Sequence, residues 1–420
     1  MQAFSTYSKK QVATGITQRE LYGIISMLPD NDYRSILLGK DDMLGRYDAL
    51  VAWGANEVSN SFGSLSEGLW WFGHIPYDAH EEWSGVSSQH TPFIGFPKCT
   101  FFSPRFVLAI QNGCATLHYL EGDQQEADRW WGSLTLKKTR HGPDSKMVII
   151  PKMSRKHYLD AVSSLKVHLK RGDIYEVNYC QFFNGEASLH PLRDFTHWMS
   201  RTSAPFSALY QCNRHYLFSA SPERFICKRN NRLYAQPIKG TAPRHSNPEM
   251  DDAQKKALKN SEKERAENVM IVDLMRNDLS RIAQRDSVVV EELFGIYSFS
   301  QVHQMISTIS ASVLPGVGFS DIIQSTFPMG SMTGAPKHSA MMLIDQHETQ
   351  RRELFSGSVG YIEPNGDFDF NVVIRSLQYN DELGIATAGV GSAITYLSDS
   401  EMEYEECLWK LSTIKKITSP

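Results

Sequence analysis

What this chain lacks narrows it first. Its 420 residues contain no apolar run approaching the ~18 residues of a membrane-spanning helix, so no span is expected. Basic residues are not in excess: 43 Lys and Arg against 47 Asp and Glu leave a formal charge of −4, which argues against a nucleic-acid binder. The six cysteines, Cys99, Cys114, Cys180, Cys212, Cys227 and Cys407, form no CxxC pair, and neither HExxH nor paired Cys/His spacing occurs. A zinc site is therefore not expected. The opening stretch MQAFSTYSKKQVATGI lacks the apolar centre of a signal peptide, so the thiols read as reduced and the expected location is the cytoplasm. Internal repeats, low-complexity tracts and the GxxxxGK[ST] phosphate loop are also missing.

What is present is an ordinary globular composition, 41% hydrophobic and 21% charged, with length enough for a sizeable core. The first third is rich in aromatic, strand-like runs such as GLWWFGHIPYD and FFSPRFVLAIQNGCATLHYL. A polar stretch, KKTRHGPDSK (137–146), is the one convincing linker. Beyond it, Tyr158, Val162, Leu165 and Leu169 are spaced four, three and four, the stripe of an amphipathic helix that Gly172 ends. DIYEVNYCQFF reads as a strand, as do HYLFSAS, RLYAQPI, SVVVEELF, GSVGYIE and DFNVVIRSLQY; SEKERAENVMIVDLMRNDL, PKHSAMMLIDQH and EMEYEECLWKLSTI read as helices. Without a regular βαβ alternation, this mixture predicts an α+β fold.

Several stretches bear on chemistry. In QPIKGTAPR (236–244) a lysine is set among residues that restrain the backbone. Glu264 and Glu267 lie three apart on one predicted helix, and Glu403, Glu406 and Lys410 share a face of another. Alone, each is a solvated face; together, two such faces can close on Mg²⁺, a hard cation that takes carboxylates and keeps waters. FPMGSMTGAPK (327–337) runs into a helix whose N-terminal N–H groups suit an anion, or serves as a plain capping loop. GVGSA (389–393) marks a bulge, a tight turn or a close backbone approach.

Taken in order, GDIYEVNYCQ, FSASPERF, PIKGTAPR, ERAENVMIVDLMRNDLSR, FPMGSMTGAPK, VVIRSL and DSEMEYEE resemble the chorismate-binding enzymes, over roughly residues 155 to 415. That family includes anthranilate synthase component I, aminodeoxychorismate synthase component I, isochorismate synthases and salicylate synthases. The resemblance implies two packed, largely antiparallel sheets with helices outside and the active site in a cleft. It also implies an amino-terminal part (1–145) completing the sheets and a chorismate-binding catalytic region (146–420). Within the family PIKGT resembles the aminodeoxychorismate synthases, whereas anthranilate synthases typically carry alanine at the place of Lys239.

The expected reaction is therefore amination of chorismate to 4-amino-4-deoxychorismate, on the path to para-aminobenzoate and folate, with anthranilate synthase component I as the alternative. Lys239 is implied to be the nucleophile that attacks C2 and expels the C4 hydroxyl, Glu223 the general acid that protonates it. A neutral amine is needed for attack, and burial is expected to lower the pKa of Lys239. Glu267, Glu403 and Glu406 are implied as the Mg²⁺ shell, and Thr241, Arg375, Gly391 and Lys410 as substrate contacts. Glu176 stands where aminating members have glutamine and water-adding members a lysine base, so a carboxylate there can orient or deprotonate ammonium, or simply hydrogen-bond as the amide does. Gln304 replaces a histidine associated with pyruvate elimination, Phe355 an aromatic that is often tyrosine, and GSAI (391–394) a run of three glycines. The chain has no glutaminase signature, so ammonia is expected from a separate glutamine amidotransferase subunit, component II, and para-aminobenzoate release from another enzyme. A non-catalytic scaffold would need none of Lys239, Glu223 or the glutamates.

Overall fold

The computed structural model describes residues 6–39, 44–134, 145–202, 204–299 and 302–418; the linker stretch lies outside them through residue 144. Among the described residues nineteen strands are joined by antiparallel ladders into two layers that share one long strand, Thr100–Gln111, and a twentieth, the two-residue Gly334–Ala335, pairs with Glu176–Ser188. The first layer runs, in spatial order, Tyr7–Ala13, Cys114–Leu120, Thr100–Gln111, Ala49–Ser59, Tyr33–Gly39, Phe206–Cys212, His215–Ser221, Ser376–Asn380, Ile385–Ile394, Glu176–Ser188 and Lys146–Pro151. The second leaves the start of the shared strand through Trp71–Ile75, Ser358–Ile362, Phe368–Asn371 and Arg224–Arg229. It continues through Arg232–Gln236 with Ile238–Pro243, then Val302–Ser312 and Val289–Ser298. Strands from before and after residue 145 interleave in both layers.

Leu50, Val107, Tyr210 and Leu217 of the first layer pack against Phe72, Val359 and Tyr361 of the second. Outside the first layer lies the helix Arg155–Arg171, whose stripe Tyr158, Val162, Leu165 and Leu169 is fully used against Val177, Tyr179 and Phe183. Ser154 caps it by accepting from the His157 N–H, and Gly172, at φ 80°, ends it. The helix Ser400–Lys415 covers the same side through Cys407, Leu411 and Ile414. The helix Glu262–Ser280 covers the second layer with Ile271, Met275 and Leu279.

Two expected strands are broken, and the breaks place Lys239 and Arg375. RLYAQPI divides at Pro237, which has no N–H for the ladder. Beyond it the pairing slips between Ile238↔Ile306 and Thr241↔Gln304, leaving Lys239 and Gly240 in a bulge with Gly240 at φ 88°. DFNVVIRSLQY divides into Phe368–Asn371 in the second layer and Ser376–Asn380 in the first, with Arg375 at φ 48° on the crossing. The chain makes a matching crossing between Ser221 and Arg224, where Glu223 lies. The crossings are tied by Val372 N–H to Glu223 O (3.0 Å) and Ala220 N–H to Arg375 O (3.1 Å). GVGSA is neither bulge nor turn: Gly391 sits inside a regular strand because a side chain there would meet Cys180 Sγ at 2.4 Å and Tyr179 O at 2.7 Å.

A buried ion pair that the sequence reading missed fastens the loop 327–337 to the strand Glu176–Ser188. Arg352 donates to Glu348 (2.6 and 2.9 Å), to Met332 O (2.6 Å) and to Asn178 O (2.8 Å), and lies over the Tyr77 ring. Both partners are buried, so removing one strands the other's charge. Arg352→Met should cost about 3–5 kcal/mol in urea unfolding, and adding Glu348→Leu should recover much of it. Equal losses in the single and double variants would contradict this account.

Candidate active site

Both layers contribute to the predicted site. From the first layer, the strand Glu176–Ser188 supplies Glu176; from the second, the bulge after Pro237 supplies Lys239. Lys239 Nζ lies 2.5 Å from Glu176 Oε1, and both side chains are buried. Backing for the bulge comes from Arg224, which grips Asp369 with two 2.9 Å bonds and also donates to Gln236, three residues before Lys239.

Burial alone does not decide the state of this amine. Burial, the largest influence, does push the pKa of Lys239 down. Glu176, Glu267, the hydrogen bond to Glu176 and then Glu223 outweigh it, and the amine is held above its ordinary value. The free site thus stores Lys239 as an ammonium, which corrects the expectation of a lowered pKa.

Glu223 is opposite in character. Burial pushes its carboxyl up to about 7, against the pull of the Ser331 hydroxyl, Lys239, the Ile238 N–H and Lys410. A carboxyl that keeps its proton near neutrality is suited to acid catalysis. Ser331 belongs to FPMGSMTGAPK, so that stretch reaches the site through a hydroxyl beside Glu223. The following helix, Lys337–His347, starts behind Pro336 with no side-chain cap, and Lys337 is occupied by Asp278 at 2.6 Å.

The acidic helices face each other as anticipated. Glu267 is buried, its carboxyl pushed up to about 7 by burial, with Lys239 and Lys263 opposing and Glu176 and Glu264 adding to the rise. Its Oε1 has no hydrogen-bond partner, although Lys263 Nζ approaches to 3.8 Å. Lys263 is held charged against its own burial by Glu267, Glu403, Glu264 and Glu406, which places all four carboxylates around one ammonium. Glu403 is buried; Glu406 is half exposed and pairs with Lys410 at 2.7 Å. Among the described residues no group of three acidic, His or Cys side chains is placed to hold a metal ion. The orphaned buried oxygen of Glu267 and the carboxylates gathered near Lys263 are donors of the kind that a hard cation takes.

The remaining predicted contacts lie on the last helix, the strand Ile385–Ile394, the crossing at 371–376 and the strand after Pro237. Lys410 Nζ donates to Gly391 O (2.7 Å), joining the last helix to the strand Ile385–Ile394. Arg375 is partly buried, its guanidinium over the Trp409 ring at 6.0 Å, with no side-chain hydrogen bond or ion pair among the described residues. Thr241 is exposed and in register with Gln304, whose own Oε1 is buried and unpartnered. Phe355 packs on Phe182 and against Gly389. Sequence reasoning passed over Lys263, Ser331, Asn178 and the Arg224–Asp369 clamp; for Glu348 and Arg352 only their four-residue spacing was a signal.

The chorismate binding enzyme family model matches residues 31–416. The chain belongs to the chorismate-binding enzyme family. It is 37% identical over 315 residues to aminodeoxychorismate synthase component 1 of Escherichia coli K12, covering 74% of this chain and 68% of that one. The corresponding Klebsiella aerogenes protein is 40% identical over 262 residues, or 62% of this chain and 58% of its own length. Among solved structures, anthranilate synthase component I from Streptococcus pneumoniae superposes with a TM-score of 0.73 at 20% identity, covering 100% of this chain and 93% of that one, a likeness of fold. No described helix of this family member is long and apolar enough to cross a membrane.

The electrostatics of Glu223 can be tested without substrate. With a folded pKa of about 7 and an unfolded one of about 4.3, the folded chain holds the extra proton between them, and stability falls as pH rises through that window. Glu223→Gln removes that loss. Relative to the unsubstituted chain it should gain on the order of 3 kcal/mol between pH 4.5 and 7.5 in urea unfolding. A constant difference across the window would mean that Glu223 titrates as an ordinary carboxyl.

Proposed function

We propose that this chorismate-binding enzyme is an aminodeoxychorismate synthase component I, converting chorismate and ammonia to 4-amino-4-deoxychorismate through a covalent adduct on Lys239. The observation that carries the reading is the buried amine of PIKGT, set on a bulge among carboxylates and close enough to Glu223 for their charges to interact. Lys239 attacks ring carbon C2 while the C4 hydroxyl departs with a proton from Glu223. Splitting one hard displacement into two easier ones is what an amine nucleophile contributes. Ammonia then attacks C4 and releases the lysine.

Arg375, free of other polar side-chain partners among the described residues, suits bidentate pairing with the enolpyruvyl carboxylate. Thr241, Gly391 and Lys410 line the path to the ring oxygens and ring carboxylate. Glu267, Glu403 and Glu406 would hold Mg²⁺, which when bound supplies positive charge against that carboxylate. Ammonia comes from a separate glutamine amidotransferase partner, and the setting is the cytoplasm. Anthranilate synthesis is disfavoured by Lys239 and by Gln304, which cannot serve as the histidine it replaces.

Purified protein given chorismate, Mg²⁺ and ammonium should yield 4-amino-4-deoxychorismate; anthranilate with free pyruvate as the main products would overturn the reading. Lys239→Ala should lose turnover by well over tenfold, more than about 1.4 kcal/mol in barrier, with KM for chorismate much less affected. Glu267→Ala should abolish activity while leaving the chain folded, because a site with few carboxylates has little redundancy. Unchanged activity and Mg²⁺ dependence in that variant would remove Glu267 from the metal shell.

A further inference from the structure

The ion pair between Lys239 and Glu176 poses a chemical difficulty. An ammonium has no lone pair, and every anionic group facing Lys239 favours the charged form: Glu176 from the first layer, Glu267 from the long helix and Glu223 from the crossing. Glu264 on that helix and Lys410 on the last one complete the charges around them. Before Lys239 can attack, one of these groups must remove a proton. Only Glu176 is in ion-pair contact with it among the described residues.

We propose that Glu176 is the base that frees Lys239, taking its proton onto Oε1 as the bond from Nζ to C2 forms. The proposal rests on the reading of Lys239 as nucleophile. Geometry favours the transfer: the 2.5 Å separation needs no relay, and Glu176 is fully buried. Its Oε2 has no hydrogen-bond partner, so protonation at Oε1 breaks no other bond of the carboxylate. The backbone of Glu176 is fixed by pairing with Ala335 and by Gly334, where a side chain would strike Glu176 O at 2.1 Å. A glutamine at this position could accept the same hydrogen bond but not the proton.

The step balances. One N–H bond of Lys239 breaks and its proton goes to Glu176; the freed pair forms the N–C2 bond, the ring π electrons shift, and the C4–O bond breaks. The hydroxyl leaves as water with Glu223's proton. In the second half ammonia bonds to C4, the N–C2 bond returns its electrons to Lys239, and Glu176 gives the proton back. The proton shed by the incoming nitrogen restores Glu223.

The test combines turnover with a measurement that needs no substrate. Glu176→Gln should lower kcat by about 10²-fold with KM for chorismate changed only a few-fold, and log kcat should then climb with pH as solvent takes over deprotonation. Glu176→Asp, which keeps a carboxylate, should recover part of the rate. In competitive labelling with acetic anhydride, read on the PIKGT peptide by mass spectrometry, Lys239 of Glu176→Gln should react faster at neutral pH, because a charge-stabilising partner is gone. Slower turnover that climbs with pH and is partly rescued by Glu176→Asp is the signature of a base, since a residue that only positions Lys239 would lower kcat alike at every pH. Faster labelling with undiminished turnover would overturn the proposal. If the unsubstituted protein made no aminated product, the functional reading would fail and the proposal with it, whatever the labelling showed.

Discussion

The structure depends on two short crossings where the chain passes from one layer to the other. At 221–224 and at 371–376 it leaves one sheet and joins its neighbour, and backbone hydrogen bonds tie the crossings together. A residue on such a crossing belongs to neither face: its side chain is free of the in–out alternation that commits strand residues to core or solvent. Glu223 and Arg375 occupy these positions, one on each crossing. Strain at Arg375, a non-glycine residue at φ 48°, is the local cost, tolerated because both flanking strands are anchored in different sheets.

Around that seam the molecule concentrates charge that it does not neutralise internally. Glu176, Glu223, Glu264, Glu267 and Glu403 meet Lys239 and Lys263, and the carboxyls of Glu223, Glu264 and Glu267 are all pushed up, chiefly by burial. Such an arrangement is costly for a fold at rest. It is useful if a dianionic substrate and a cation complete it, since the groups are then already in place and need no reorganisation. The Arg224–Asp369 and Arg352–Glu348 pairs behind the site do the opposite work. They are fully matched ion pairs that hold the strands on which the unmatched groups sit.

Local periodic features were legible from the chain alone. The stripe of the helix Arg155–Arg171 and its stop at Gly172 follow from spacing and backbone chemistry within a few residues. RLYAQPI and DFNVVIRSLQY were less legible, read as single strands because their composition is continuous. The first is interrupted by proline chemistry, the second because its two halves pair with different sheets. GVGSA was read as a turn or bulge, but what its glycine satisfies is the nearness of Cys180 and Tyr179 on a strand far away in sequence.

The sequence by itself determined the family: seven motifs in order mark the chain as a chorismate-binding enzyme, and PIKGT singles out Lys239 as the residue on which the proposed chemistry turns. Only the tertiary structure decided the state of that lysine. Burial, the part of its environment suggested by the rigid local sequence, pushes its pKa down; carboxylates from three other segments outweigh that and hold it charged. The reason is physical. Backbone restraint is a local property, written in neighbouring residues, whereas a buried charge responds to distances set by how the sheets and helices close around it.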